Sequence, residues 1–446
     1  MTTTFTTKTG VVDWLLSRGY FQDCPGLDRT AALLQQLGHP ERTYPTIHVA
    51  GTNGKGSTTQ VLANLLQANG LRVGTFNSPF ITEFTDQVEI NGQKIPAAAM
   101  VQLGNQLRPL VAQLDTQPAL RGATEFEILT ALALAYFCDR VDVAIIEVGM
   151  GGLRDSTNVI QPELTAITTI GLDHTAYLGN TLGQIAAQKA GIIKPNTPIV
   201  VGNVPEAALT VIQHQAQQLA APLTVWSRDY RTRSLGWHHQ AEHFTFEHSD
   251  LTFDHLATPL IGPEQVENAA VALELYVLYA QRHHLTLDPQ RLAAALLQTR
   301  WPARMEVLEH HPLVMLDGAH NLHAIKRLKQ TLLTDYPDYR LHILFSAIRT
   351  KNIAAMVTEL LTLPQVTLTL TTFDDPRALK VADFKQWPNR LTLGTGLVSR
   401  LPGAAGPISA PRPPFDYRVP LLRVRSTRPF KALDTSYTTP PQRLHG

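Results

Sequence analysis

The sequence predicts an α/β protein. A large P-loop-type domain with a mostly parallel sheet is followed by a smaller Rossmann-like α/β domain. Three observations predict this. Short β-branched runs alternate with amphipathic stretches through most of the chain; a glycine-rich segment, GTNGKGS, stands between a strand pattern and a helix pattern; and a second alternating set begins after Trp301–Pro302. Strands that alternate with helices favour parallel pairing through right-handed crossovers.

The elements follow in order. PTIHVA at 45–50 reads as a strand running into the glycine-rich segment. From Thr58 to Ala68, Val61, Leu62, Leu65 and Leu66 fall on one helical face, and Asn69–Gly70 supplies a stop. Residues 71–75 form a second strand pattern and 127–137 an apolar helix. VDVAIIEV at 141–148 is nearly all apolar, as a strand covered on both faces should be. Residues 164–170 and 197–201 repeat the strand pattern, and 229–260 alternates weakly, which predicts a hairpin. In the second set, 313–316, 341–345 and 366–372 read as strands and 322–333 and 353–361 as helices.

Composition narrows the class of protein. The 446 residues are 44% hydrophobic and 17% charged, enough to bury a large core and unlike a disordered chain. The net charge of +1 selects neither nucleic acid nor an anionic membrane as partner. No apolar run approaches the roughly 18–20 residues of a membrane span, and the opening MTTTFTTKTG lacks the order of a signal peptide. Two cysteines, Cys24 and Cys138, do not make a disulfide scaffold. The expectation is a cytoplasmic protein. Residues 388–446 differ from the rest: eight Arg, one Lys, two Asp, no Glu and ten Pro.

Gly51-Thr52-Asn53-Gly54-Lys55-Gly56-Ser57 carries the chemistry of a phosphate site. Glycines let backbone N–H groups converge on an anion, and the following helix presents its positive end. Lys55 supplies a cation and Ser57 a hydroxyl beside a metal. The spacing is not the usual GxxxxGK followed by Ser or Thr, because Val49 stands where the first glycine would be and Gly56 separates Lys55 from Ser57. GMGG at 149–152 fails as a dinucleotide fingerprint, since Arg154 occupies its last glycine position. Glu147, at the carboxyl end of its strand, is suited to hold Mg²⁺ near phosphate. Ser78 and Asp173–His174 also follow strands, so serine, glutamate and histidine would meet at one edge of the sheet. Lys189 precedes an apolar AGII segment, and burial would favour its neutral amine, which can take up CO₂. Arg304, in WPARME, and Asp317 and His320, in DGAHN, are the charged candidates of the second set.

Together these segments resemble the folylpolyglutamate synthase/dihydrofolate synthase family, within the ATP-dependent Mur-ligase superfamily. The resemblance runs from about Trp14 to Leu379. It rests on HVAGTNGKGS (48–57), NSPF (77–80), TEFEILT (124–130), EVGMGGLRDSTN (147–158), GLDHTAYLG (171–179), KAGIIK (189–194), WPARME (301–306) and DGAHN (317–321). It implies ATP-dependent ligation of L-glutamate to a folate or dihydropteroate carboxylate through an acyl phosphate. By the same resemblance, Lys55 and the 51–57 backbone hold ATP phosphates. Ser78, Glu147 and His174 ligate two Mg²⁺ ions, and Lys189 is N6-carboxylated. Asn268, Arg304 and Asp317 contact ATP, His320 lies in the interdomain cleft, and residues 79–95 bound the folate site. A monomer is expected, with no nucleic acid or membrane as partner. The domains implied are 1–300, which binds ATP and folate, and 301–387, a ligase domain that is incomplete.

The chain departs from the family pattern in three places. GGLRDSTN stands for GGRLDATN. The second-domain turn reads SAIRTKN, retaining only Lys351. After DDPRALK (374–380) the resemblance fades, and a tail expected to be poorly ordered replaces the closing elements. A frameshift and a divergent tail would both give this change. Two other functions stay open: an impaired remnant that binds ATP or folate, and a Mur-type amino-acid ligase with another acceptor.

Overall fold

The computed structural model describes residues 4–19, 26–249, 251–373, 375, 377–380, 383 and 392–393. The expected tail, 388–446, and Cys24 therefore lie outside the described residues, save Thr392–Leu393.

An eight-stranded sheet organises the large domain. Its strands are β1 (Thr46–Ala50), β2 (Val73–Phe76), β3 (Val88–Ile90), β4 (Gln93–Lys94), β5 (Val143–Glu147), β6 (Leu164–Ile167), β7 (Ile199–Val201) and β8 (Leu223–Val225). They lie in the order β4-β3-β2-β5-β1-β6-β7-β8. All neighbours are parallel except β3, which runs antiparallel to β2 and β4. The central register pairs Val49 with Glu147 and Phe76 with Ile146. The carboxyl ends of β2, β5, β1 and β6 thus open side by side, where ligands gather in such sheets.

Helices cover both faces. They are α1 (Lys8–Leu16), α2 (Asp28–Gln36), α3 (Lys55–Gln67), α4 (Ala97–Asp115), α5 (Glu125–Phe137), α6 (Thr175–Leu178), α7 (Leu182–Ala190), α8 (Glu206–Gln218), α9 (Pro263–His283) and α10 (Pro289–Leu297). The α3 face read from the sequence is buried in one core with Ile47, Val143 and the α9 residues Ala269 and Leu273. Each such aliphatic side chain contributes roughly 1.5–3 kcal/mol on leaving water. Thr124 caps α5 by accepting from Glu127 N, and the Glu127 side chain accepts from Thr124 N in return.

The segment 229–260 differs from the predicted hairpin. It forms a three-stranded antiparallel sheet, β9 (Tyr230–His238), β10 (Ala241–His248) and β11 (Leu251–Thr258). Register shifts at His243/Phe244 and Phe244/Phe246 break the strict alternation, which weakens the signal in the sequence. One face buries Tyr230, Phe244, Phe246 and Phe253 against α9.

The second domain holds β12 (Glu306–His310) antiparallel to β13 (Leu313–Leu316), then α11 (Leu322–Asp335), β14 (Leu341–Phe345), α12 (Ile353–Leu361), β15 (Val366–Leu370) and β16 (Thr392–Leu393). The last three strands pair in parallel. Their separate core includes Met315, Ile325, Leu328, Phe345, Met356 and Leu368, and it reaches back to Ile261.

Candidate active site

The glycine-rich segment leaves β1 and enters α3 as one tight bend. Gly54 adopts φ 86°, and a Cβ there would stand 2.1 Å from Asn268 Oδ1. The bend is tied down on the β6 side: Thr52 N donates to Thr169 O (2.8 Å), Asn53 N to Thr169 Oγ1 (3.0 Å) and Thr168 Oγ1 to Asn53 O (2.6 Å). With the bend so anchored, the N-terminus of α3 faces an open cleft. Ser57 Oγ, at the head of α3, is buried and has no hydrogen-bond partner among the described residues. A bound group that offers both charge and acceptors would satisfy it.

Glu147 ends β5 beside the bend. Its Oε1 lies 3.7 Å from Lys55 Nζ, and its Oε2 accepts from Ser78 N at 3.3 Å. Burial pushes the Glu147 carboxyl up, while Lys55, the Ser78 N–H and Arg304 pull it down. Glu147 therefore pairs with Lys55. Lys189, on α7, is buried and donates to Gly51 O at 2.9 Å. Burial first, and Lys55 second, lower its pKa from 10.5 to about 7.

The second domain closes one side of the cleft. Asp317 accepts from Met305 N (2.9 Å) and Ala319 N (2.8 Å). Burial raises its pKa and the nearby Arg304 opposes this. The His320 Nδ1–H donates to Gly318 O at 2.9 Å, which leaves Nε2 without a proton; burial lowers its pKa to about 4. Asn53 and Asn321 exchange amide hydrogen bonds across the domains at 3.0 and 3.2 Å. Lys351 pairs with Asp173, which also accepts from Asn321 Nδ2 at 2.9 Å. His174 Nε2 stands 3.4 Å from Lys351 Nζ, and burial lowers its pKa to about 4, so it is a neutral donor atom at neutral pH.

The cleft is about 190 Å³ and is lined by all of the candidates: Gly51, Thr52, Asn53, Gly54, Lys55, Gly56, Ser57, Ser78, Glu147, His174, Lys189, Asn268, Arg304, Asp317 and His320. A second cavity of about 400 Å³ adjoins it. Gly149, Met150 and Gly151 line both. Phe126, Arg154, Asp155 and Tyr177 face the larger one, along with a buried Arg29–Glu127 pair at 2.8 Å.

The Mur ligase middle domain family matches residues 49–276. The dihydrofolate synthase/folylpolyglutamate synthase of Bacillus subtilis is 38% identical over 385 residues, spanning 85% of this chain and 88% of that protein. The chain belongs to the folylpolyglutamate synthase/dihydrofolate synthase family. The Lacticaseibacillus casei folylpolyglutamate synthase is also 38% identical, over 80% of this chain and 83% of that one. Among solved structures, a folylpolyglutamate synthase complex with AMPPCP and folate superposes with TM-score 0.77 at 36% identity, covering 82% of this chain and 89% of that one. The Mycobacterium tuberculosis folylpolyglutamate synthase complexed with ADP gives 0.79 at 31% identity, covering 87% and 88%.

Residues 79–95, expected to bound the folate site, contribute little to the lining of the two cavities. Of residues 79–95, Pro79 alone lines the cleft and none lines the larger cavity. Phe80, Phe84 and Val88 are spent in a hydrophobic core instead. The larger cavity draws instead on TEFEILT and GGLRDSTN, motifs quoted above for the resemblance alone. The sequence assigns no role to Asp173, Asn321 or Lys351, although the Asp173–His174 pair and the retained Lys351 are the signals that point to them.

Proposed function

We propose that this chain joins L-glutamate to the carboxylate of a folate or of dihydropteroate at the expense of ATP. One observation carries the reading: a phosphate bend with Lys55 facing Glu147 lies in an interdomain cleft that shares the wall 149–151 with an adjoining cavity. The cleft suits a nucleotide triphosphate tail. The cavity, large enough for part of a heterocyclic acid, brings that acid's carboxylate toward the shared wall.

The chemistry follows. A carboxylate oxygen of the acceptor attacks the γ-phosphorus of ATP, and ADP leaves. The amine of glutamate then attacks the acyl carbon, loses a proton and expels phosphate, leaving an amide. Lys55 and Arg304 offset negative charge as it shifts during transfer. Helix α3 orients the phosphates through its N-terminal amides. His320, with an unprotonated Nε2 in the cleft, is placed to take the proton of the incoming amine. Asn268 and Asp317 bound the nucleotide from the two domains. Closure of the domains excludes water from the activated acid.

Mg²⁺ fits this donor set. Among the described residues no three His, Cys, Asp or Glu side chains form a closed cage. Beside the phosphate bend the cleft instead offers the buried Glu147 carboxylate, an orphaned Ser57 hydroxyl, Ser78 and a neutral His174. So sparse a set suits an ion that keeps water and phosphate oxygens in its shell. In our reading Glu147, Ser78 and His174 hold two such ions, which neutralise phosphate charge when bound. Lys189 becomes a carbamate: with its pKa lowered to about 7, a substantial share of the amine is neutral near pH 7, and that is the form that takes up CO₂. We assign 1–300 to ATP and acceptor binding and 301–387 to the ligase cap, in a monomer. No helix among the described residues is long and apolar enough to cross a membrane.

The test is product analysis by mass spectrometry, with ATP, Mg²⁺ and glutamate offered alongside dihydropteroate or tetrahydrofolate. The expected product gains one glutamyl residue with stoichiometric phosphate release. Nucleotide binding without any glutamylated product from either acceptor would instead mark a remnant or another acceptor.

A further inference from the structure

The wall shared by the two cavities is held by a buried polar chain that starts on the far side of β1. Asp155 anchors the wall: Oδ2 accepts from Met150 N at 2.8 Å, and Gly149 N also points to the carboxylate. Its Oδ1 accepts from Thr157 N at 3.1 Å and from Thr157 Oγ1 at 2.5 Å. Thr157 Oγ1 in turn lies 2.9 Å from His48 Nε2. All three side chains are buried, His48 completely.

The direction of this chain is fixed by proton counting. Burial pushes the Asp155 carboxyl up, but the N–H groups of Met150, Thr157 and Gly149 all donate to it and favour the carboxylate. A hydroxyl has one proton to donate, and the Thr157 hydroxyl gives it to that carboxylate. His48 Nε2 must therefore carry a proton and donate it to Thr157 Oγ1. His48 Nδ1 is then a bare acceptor, and it is buried with no partner among the described residues. A buried imidazole with one idle nitrogen is a costly residue to place on a central strand. Val or Ile would serve a strand covered on both faces better. His48 also stands three positions before Gly51, so one strand carries both the phosphate bend and the donor that steadies the neighbouring wall.

We propose that His48 is a positioning residue for the acceptor cavity. Through Thr157 it holds Asp155, and with it the 149–151 wall, in the arrangement that receives a heterocyclic acid. The phosphate bend does not depend on this chain, because its own ties run to Thr168, Thr169 and Lys189. This inference rests on the ligase reading above.

The experiment uses the full chain and measures dihydropteroate and AMPPCP binding by calorimetry, followed by KM for dihydropteroate and for ATP. The variants are His48→Leu, which deletes the donor, Thr157→Val, which breaks the link, and His48→Gln, whose side-chain amide can donate from the Nε2 position. Loss of a buried hydrogen bond, which leaves its partner unsatisfied, predicts acceptor binding weaker by about tenfold or more in the first two. AMPPCP affinity and KM for ATP stay within about twofold, and His48→Gln recovers most of the loss. Thermal melts confirm that each variant is folded, and Thr157→Val, a near-isosteric change, decides the matter if His48→Leu does not fold. Unchanged acceptor affinity in folded His48→Leu or Thr157→Val overturns the inference, as does an equal loss for AMPPCP. A wild-type chain that binds no dihydropteroate or tetrahydrofolate overturns the ligase reading instead.

Discussion

Lys189 Nζ donates to Gly51 O at 2.9 Å, so the one buried lysine of α7 touches the first residue of the phosphate bend. That contact ties α7, a helix on the flank of the sheet, to the place where β1 turns toward α3. It also holds the amine next to the cleft, where a carbamate would add negative charge opposite Lys55.

Lys189→Ala is expected to lose ligase activity by about a hundredfold or more, since it removes both the tie and the charge. Acetate or another small carboxylate should restore part of it. Because the pKa falls to about 7, the neutral amine is scarce at pH 6 and dominant at pH 8. Added bicarbonate should therefore raise the rate of a CO₂-depleted wild-type sample more at pH 8 than at pH 6. A crystal structure at neutral pH with clear density for an unmodified amine counts against the carbamate.

Lys55→Ala should abolish glutamate ligation. The ammonium is within 3.7 Å of Glu147 and faces the cleft, so its loss leaves a buried carboxylate without its cation and phosphate without a counter-charge. Steady-state phosphate release is the measurement, with an expected fall of about a thousandfold. Turnover within a fewfold of wild type would defeat the assignment of the bend.

Much of this site could be read before any coordinates, and the reason is locality. The bend, Glu147 and Ser78 sit at or within two residues of a strand end, and strand ends are marked by short apolar runs; His174 lies further on, because β6 closes at Ile167 rather than at 170. The strands 313–316 and 341–345 and the helix 353–361 have the predicted bounds, because each is a compact apolar run with its own core. Other features depend on residues distant in sequence. The Asp155–Thr157–His48 chain spans about a hundred positions, and nothing in HVAG marks its histidine as a donor. The larger cavity gathers Arg29, Phe126, Asp155 and Tyr177 from four separate elements. Helices α1, α2 and α4 were not singled out; α4 is long, but its apolar stripe is diluted by glutamine and interrupted by Pro109.

Gly54→Ala tests the bend from its backbone. The residue is at φ 86°, and an added Cβ would stand 2.1 Å from Asn268 Oδ1. Strain at positive φ costs about 1–3 kcal/mol, and Asn268 must move as well. The variant is expected to melt earlier and to bind AMPPCP at least about tenfold more weakly. Normal AMPPCP affinity would show that the bend does not need this conformation.

Lys351 links the domains by pairing with Asp173, while Asn321 holds the other carboxylate oxygen. Lys351→Met leaves a buried aspartate with one fewer partner. Its expected effect is a looser arrangement of the two domains, read as a larger radius of gyration in solution scattering without nucleotide. Ligase activity should fall with it, by about tenfold or more. An unchanged scattering profile together with unchanged turnover would remove the pair from any role in closure.

The β9–β11 sheet offers a test of stability far from the cleft. Glu274, on α9, is fully buried, and its carboxyl is 2.7 Å from His248 Nδ1. Burial, and then the negative charge of Asp229, raise its pKa from 4.5 to about 8, while burial lowers that of His248. Both shifts favour a neutral pair in which the carboxyl donates to Nδ1. Between pH 4.5 and about 8 the unfolded chain has given up a proton that folded Glu274 keeps. The stabilisation is thus complete below pH 4.5 and is lost as pH rises through about 8. Glu274→Gln can still donate to Nδ1 but cannot titrate. The melting temperature of wild type relative to Glu274→Gln should therefore decline from pH 5 to pH 8.5, by roughly a few degrees. Other titrating groups are common to both proteins and cancel in the difference. A gap that stays constant over this range would mean that Glu274 is charged in the folded protein and that its bond to His248 is an ion pair.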